Sequence, residues 1–197
     1  MKLVRQLMAL PVLLGLTTLT SIQSNALASD SHSHRAWSDK LVVDVAMDGR
    51  TWRLGDGSNP FYPTLTGQFG RGNTFIVTGH IYKANTLASG GDFNQPGNPA
   101  GPNLPEPIGT WVCRGTFNLD FGDIANGGAP HVTSTQFFYF DDGTTIVTDG
   151  AEGGAITLRA VIGGTGRYRN AKGESIETPL GVNDTNLFNV RFRFKLD

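Results

Sequence analysis

IGGTGRYRNAKGE, from Ile162 to Glu174, sets Gly163, Gly164, Gly166 and Gly173 among Arg167, Arg169 and Lys172, directly after the apolar stretch Ala155–Ile162. A phosphate-cradling loop needs a strand, a glycine turn and then a helix whose N-terminus faces the anion. The strand is present. The helix is not, because RYRNAKGE has no apolar stripe and breaks again at Gly173. Gly164-Thr165-Gly166 is followed by Arg169 where a GxGxxG fingerprint needs glycine, and there is no Gly-Lys-Ser/Thr. The stretch therefore reads as a sharp reversal between two strands. Its glycines allow positive φ, Tyr168 folds back as a plug, and the cations stay in water.

Strand signals continue on both sides of this turn. Lys40–Met47 places Leu41, Val43, Val45 and Met47 on one face and Asp44 on the other. Asn73–Lys83 is β-branched and aromatic. Ile108–Asp120 sets Trp111, Cys113, Phe117 and Leu119 against Arg114, Thr116 and Asn118. His131–Phe140 and Thr144–Thr148 flank the hairpin turn Asp141–Gly143. Ala155–Ile162 follows, then the weaker Lys172–Thr178. Asn186–Leu196 alternates most cleanly, with Phe188, Val190, Phe192, Phe194 and Leu196 on one face and Asn189, Arg191, Arg193 and Lys195 on the other. One dry face and one wet face is the pattern of an antiparallel sheet. No segment sustains helical periodicity over three turns. About eight short strands predict an all-β closed barrel or sandwich, with the last strand pairing an early one so that no edge is exposed.

The chain's start has a different character. Lys2 and Arg5 precede the apolar run Leu7–Leu16, and Ala26-Leu27-Ala28 supplies small residues for a peptidase. Residues 1–28 read as a secretory signal peptide cleaved after Ala28, and residues 29–38 as a flexible tail. Residues 39–197 then form a single β domain that is secreted or periplasmic. Without Lys2 and Arg5, 14 of the 16 Lys+Arg face 17 Asp+Glu, a balance that gives no reason to invoke nucleic acid. Cys113 is the only cysteine, so no intrachain disulfide forms, and it reads as a small buried hydrophobe. His32, His34, His80 and His131 show no ligand spacing, which predicts no metal. No Gly-x-Ser-x-Gly elbow is present. Residues 85–107 hold five prolines and four glycines with almost no hydrophobic pattern, so they form either a lid over a barrel mouth or a solvated excursion.

The turn motif also carries a resemblance. AVIGGTGRYRNAKGE, residues 160–174, is similar to the signature of the dirigent proteins: Gly-Gly-Thr-Gly at Gly163–Gly166, the aromatic-Arg pair Tyr168-Arg169, and Ala171-Lys172-Gly173. TSTQFFYFDDGTTIVTDG, Thr133–Gly150, resembles the strand–turn–strand of the allene oxide cyclases, as does GTWVCRG, Gly109–Gly115. Both families share an eight-stranded antiparallel barrel, which the resemblance implies here. It also implies cofactor-free chemistry on hydrophobic, reactive intermediates, steered to one cyclisation or coupling geometry, and a homo-oligomer, dimer or trimer. The chain departs from the dirigent pattern at Thr157-Leu158, where many members carry a charged pair.

An apolar lumen selects one conformer of a ring-closing substrate, and a buried acid or tyrosine polarises the reacting oxygen. Asp44 lies close to where dirigent proteins carry an Asp and allene oxide cyclases a Glu, which makes it the candidate general acid; its own strand's alternation sets it on the polar face. Arg159 and Arg114 either pair a carboxylate inside or point to solvent. Tyr82, Trp111, Phe137, Tyr139 and Phe192 are the candidate ligand contacts. Three functions follow: a cofactor-free cyclase or coupling guide, a carrier of a hydrophobic small molecule, or an extracellular structural domain. Filling of the lumen by Phe188, Phe192, Phe194, Trp111 and Phe137 marks the third.

Overall fold

The computed structural model describes residues 41–66, 68–87, 104–153 and 156–197. Residues 1–40, where a signal peptide and tail are expected, and the part of the Pro/Gly-rich loop from 88 to 103, lie outside the described residues. Eight strands follow in chain order: β1 Leu41–Leu54, β2 Thr74–Lys83, β3 Gly109–Phe117, β4 Val132–Phe140, β5 Thr145–Glu152, β6 Thr157–Thr165, β7 Gly173–Val182 and β8 Phe188–Leu196. Each is antiparallel to the next. β8 returns to β1 in the register Leu41↔Phe194 to Ala46↔Asn189, so the sheet is a closed barrel. That is the expected architecture, with the terminal strand pairing the first. Among the described residues the only helical pieces are α1, Phe121–Ala125, and a 3-10 turn at Gly166–Tyr168. None is long and apolar enough to cross a membrane.

β1 runs further than the expected Lys40–Met47. Gly49 and Arg50 interrupt the pattern in sequence, yet pairing with β2 resumes after an irregularity between Asp48 and Arg53. This extension carries Trp52 and Leu54 into the core.

Alternation decides which side chains face the axis. Val43, Val45 and Met47, Phe75, Val77 and Ile81, and Trp111, Cys113 and Phe117 point inward from the first three strands. Phe138 and Phe140, Ile146, Val161, and Val190, Phe192 and Phe194 complete the core. Phe138 meets Phe192 and Phe194 edge-on at 4.9 and 5.0 Å, so aromatic rings from β4 and β8 touch across the barrel. Together with the fully buried Trp111 they fill its middle. Phe137 and Phe188 are not part of this filling. Phe137 alternates to the outer face of β4, and Phe188 is exposed at the start of β8. At one end Trp52, Phe61, Phe69, Phe75 and Phe117 stack on one another.

The other end holds the β6–β7 reversal. Gly163, Gly166 and Gly173 all have positive φ, and the Tyr168 ring lies 6.0 Å from that of Phe140, packed on the core as a plug. Arg167 stays exposed beside Asp142, at 2.9 Å. Asp142 belongs to the Asp141–Gly143 hairpin turn, where Phe140 N–H donates to the Thr144 carbonyl and Gly143 takes φ 81°.

Candidate functional site

Inside the barrel, in the half away from the Tyr168 plug, the core turns polar. Ser134 and Gln136 on β4, Thr148 and Glu152 on β5, Arg159 on β6, and Ser175 and Glu177 on β7 all take lumen-facing positions by the same alternation that buries their apolar neighbours. Burying a charge requires partners, and here they come from four strands. Arg159, with its side chain fully buried, donates from Nη1 to Glu152 Oε1 at 2.8 Å and places Nε 3.3 Å from Glu177 Oε1. Its remaining donors reach the Ser134 and Gly150 carbonyls at 2.5 and 3.2 Å. Gln136 Nε2 donates to Glu177 Oε1 at 2.7 Å and to Glu152 Oε1 at 3.1 Å, so one amide nitrogen bridges both carboxyls. Ser134 Oγ also donates to Glu152 Oε1, and Cys113 Sγ approaches it at 3.8 Å.

The two carboxyls are not equivalent. Glu152 stands nearer the rim, its side chain 20% exposed, whereas the Glu177 side chain is 9% exposed. Burial and then the neighbouring Glu152 charge push the Glu177 carboxyl up to about 8, against the opposing pull of Arg159 and Gln136. Near neutral pH Glu177 therefore holds a proton. Gln136 donates to Oε1, and Arg159 Nε, which donates to Thr148 Oγ1 at 3.3 Å, lies beside the same oxygen, which leaves Oε2 to carry that proton. Burial also drives the Cys113 thiol well above its ordinary range, so it is a neutral wall of the site. The assembly is one cation, one carboxylate and one neutral carboxylic acid, walled by Trp111, Phe138, Phe192 and Phe194. Such a set can protonate or polarise an oxygen or nitrogen presented to it.

Of the residues singled out from sequence, Arg159, Trp111 and Phe192 face the lumen. Arg159 takes the inner alternative, paired with carboxylates. The outward positions of β6 hold Leu158 and Ile162 instead, both more than half exposed. Asp44 is fully buried but on the outer face of β1. There Arg191 Nε donates to its Oδ1 at 2.8 Å and Leu87 N–H to its Oδ2 at 3.0 Å. This pair anchors the start of the Pro/Gly-rich loop beside the satellite cluster of Ala46, Tyr82, Leu87 and Leu180. Tyr82 is thus an outer-face packing residue. Arg114, Phe137 and Tyr139 also face outward, with the guanidinium of Arg114 5.1 Å over the Phe137 ring. Arg114 lines a shallow surface groove of about 370 Å³ with Thr116, Thr133, Thr135 and Asp149. The structure does not bring Asp44 or Arg114 to Arg159. The residues that pair with it, Glu152 and Glu177, and Gln136, which bonds both of them, were not anticipated. Gln136 shares parity with Phe138 and Phe140 along β4, and this was the one local signal that it points inward.

Solved structures similar to this chain include a pyocyanin demethylase, 17% identical over 80% of this chain and 98% of that one, with a TM-score of 0.47. Two pterocarpan synthase dirigent proteins, PsPTS1 and GePTS1, are each 13% identical. They match over 78% and 79% of this chain and 92% and 84% of theirs, with TM-scores of 0.48 and 0.47. No family model matches the chain, and no curated protein does.

Proposed function

We propose that this chain is an exported, cofactor-free barrel that takes up a small hydrophobic, reactive molecule and steers its cyclisation or coupling. Glu177 acts as the general acid and Arg159 as the group that steadies the charge left behind. The observation that supports this reading is the Glu177 carboxyl buried inside the barrel between the Arg159 guanidinium and the Glu152 carboxyl, where burial pushes it up to about 8. A carboxyl that keeps its proton near neutral pH is suited to donate one. Gln136 and Arg159 hold its Oε1, so the acidic Oε2 is aimed by two fixed contacts. Apolar walls exclude water and restrict the conformers a flexible substrate can adopt.

The filled middle of the barrel favours a second reading, in which the domain is a carrier or a structural module and the buried cluster only satisfies its own charges. A substrate panel separates the two. Purified protein is offered quinone methides and allylic epoxides, and product geometry and rate are followed by chiral chromatography. The acid reading expects accelerated formation of one stereoisomer, a loss of about a hundredfold in turnover with binding retained in Glu177→Gln, and no loss in Asp44→Asn. Unselective product from the wild type, or equal turnover by Glu177→Gln, sinks it.

A further inference from the structure

An acid that has given up its proton must regain one before the next turnover, and Glu177 is poorly placed to do so directly, being almost wholly buried. Among the described residues, the one neighbouring carboxyl with access to solvent is Glu152. Because a single Gln136 nitrogen bonds an oxygen of each, those two oxygens lie within about 6 Å of one another. That upper bound leaves room for one bridging water between the two carboxyls. Ser175 lies on the same inner face. Its hydroxyl is fully buried, has no hydrogen-bond partner among the described residues, sits opposite Arg159 in the β6–β7 register, and shares the inner face with Glu177 two residues on. Buried hydroxyls are rarely left unpartnered, and ordered water is their usual partner.

We propose that Glu152 reloads Glu177: a proton taken from solvent onto the Glu152 carboxylate passes through one water held by Ser175 Oγ to the Glu177 carboxylate. The step balances. Glu152 gains a proton from solvent, gives it to the water, and the water releases one of its own to Glu177, which ends neutral while Glu152 ends as the carboxylate facing Arg159. Arg159 cannot be the carrier, because its guanidinium stays charged. Gln136 cannot, because its amide has no labile site in this range. The inference rests on Glu177 being the protonated acid of the site, but its test needs no substrate.

Transfer of the protein into deuterated water, followed by time-resolved infrared spectroscopy, reads the shift of the Glu177 carboxylic C=O band, identified as the band absent from Glu177→Gln. The wild type is expected to exchange rapidly. Glu152→Gln should slow that exchange about a hundredfold, Ser175→Ala should slow it at least tenfold, and Glu152→Asp should recover most of the rate. A merely structural Glu152 would leave the rate unchanged, or tie it to global unfolding in every variant, and either result overturns the relay. If Glu152→Gln does not fold, Ser175→Ala alone decides, and an unaltered rate there counts against the proposal. Absence of any protonated carboxyl band near neutral pH removes the acid reading itself, so the two failures are told apart.

Discussion

At the residue scale the site depends on where one proton resides. Glu152 Oε1 collects donors from Ser134, Gln136, Arg159 and the Cys113 thiol, whereas Glu177 Oε1 takes one, from Gln136, with Arg159 Nε 3.3 Å away. Negative charge settles where donors are dense, and the more buried carboxyl keeps its proton. This has a consequence for stability. The Glu177 carboxyl sits at about 8 in the folded chain against 4.5 when solvated, so between those values the native state binds the extra proton. Its contribution is fully present below about 4.5 and is lost as pH rises through about 8. Thermal melts should therefore show Tm falling from about pH 5 to about pH 8.5, and Glu177→Gln, permanently neutral, should flatten that fall. A wild-type Tm that rises over the same interval contradicts the assignment. The cluster was not legible in the sequence because its members sit 16 and 41 residues apart along the chain. Asp44 was easier to notice and lies on the wrong face of its strand for this chemistry.

At the element scale the opening stretch behaves as a turn should. The β5–β6 register shifts between Val147 and Thr148, opposite Gly163, and this bulge keeps Arg159 and Val161 on the inner face while Ile162 points out. Local pattern alone favours the reverse, since Leu158, Ala160 and Ile162 form the more apolar set. The register with β5 and β7 overrides it. Gly173 is the tightest point of the reversal. It has φ 128°, and a Cβ there would lie 2.0 Å from the Lys195 carbonyl oxygen of β8. Gly173→Ala should cost about 2 kcal/mol or more in chemical denaturation, through strained backbone and displaced β7–β8 pairing. A loss under half of that shows that the reversal can relax.

At the scale of the whole molecule, closure of β8 on β1 turns eight modest strands into one continuous core. Phe192 sits at its centre, fully buried against Phe138 and paired in register with Glu177, which Gln136 bonds across the lumen. Phe192→Ala should lower stability by about 3–5 kcal/mol and open space beside Glu177, measured by denaturation and by uptake of small apolar probes. A loss below about 1 kcal/mol means that the middle of the barrel is loosely packed. The sequence by itself determined the strand count, the two-sided character of Phe188–Leu196, the Asp141–Gly143 hairpin and the role of the glycine turn, because each depends on the period-two geometry of a strand and on backbone sterics. Only the tertiary structure decided that Arg159 points inward to pair with Glu152 and Glu177, that Gln136 bonds both of these, and that Asp44 serves the outside. Those outcomes are set by register between strands distant in the chain and by the dielectric of a closed core, neither of which a single strand's pattern contains.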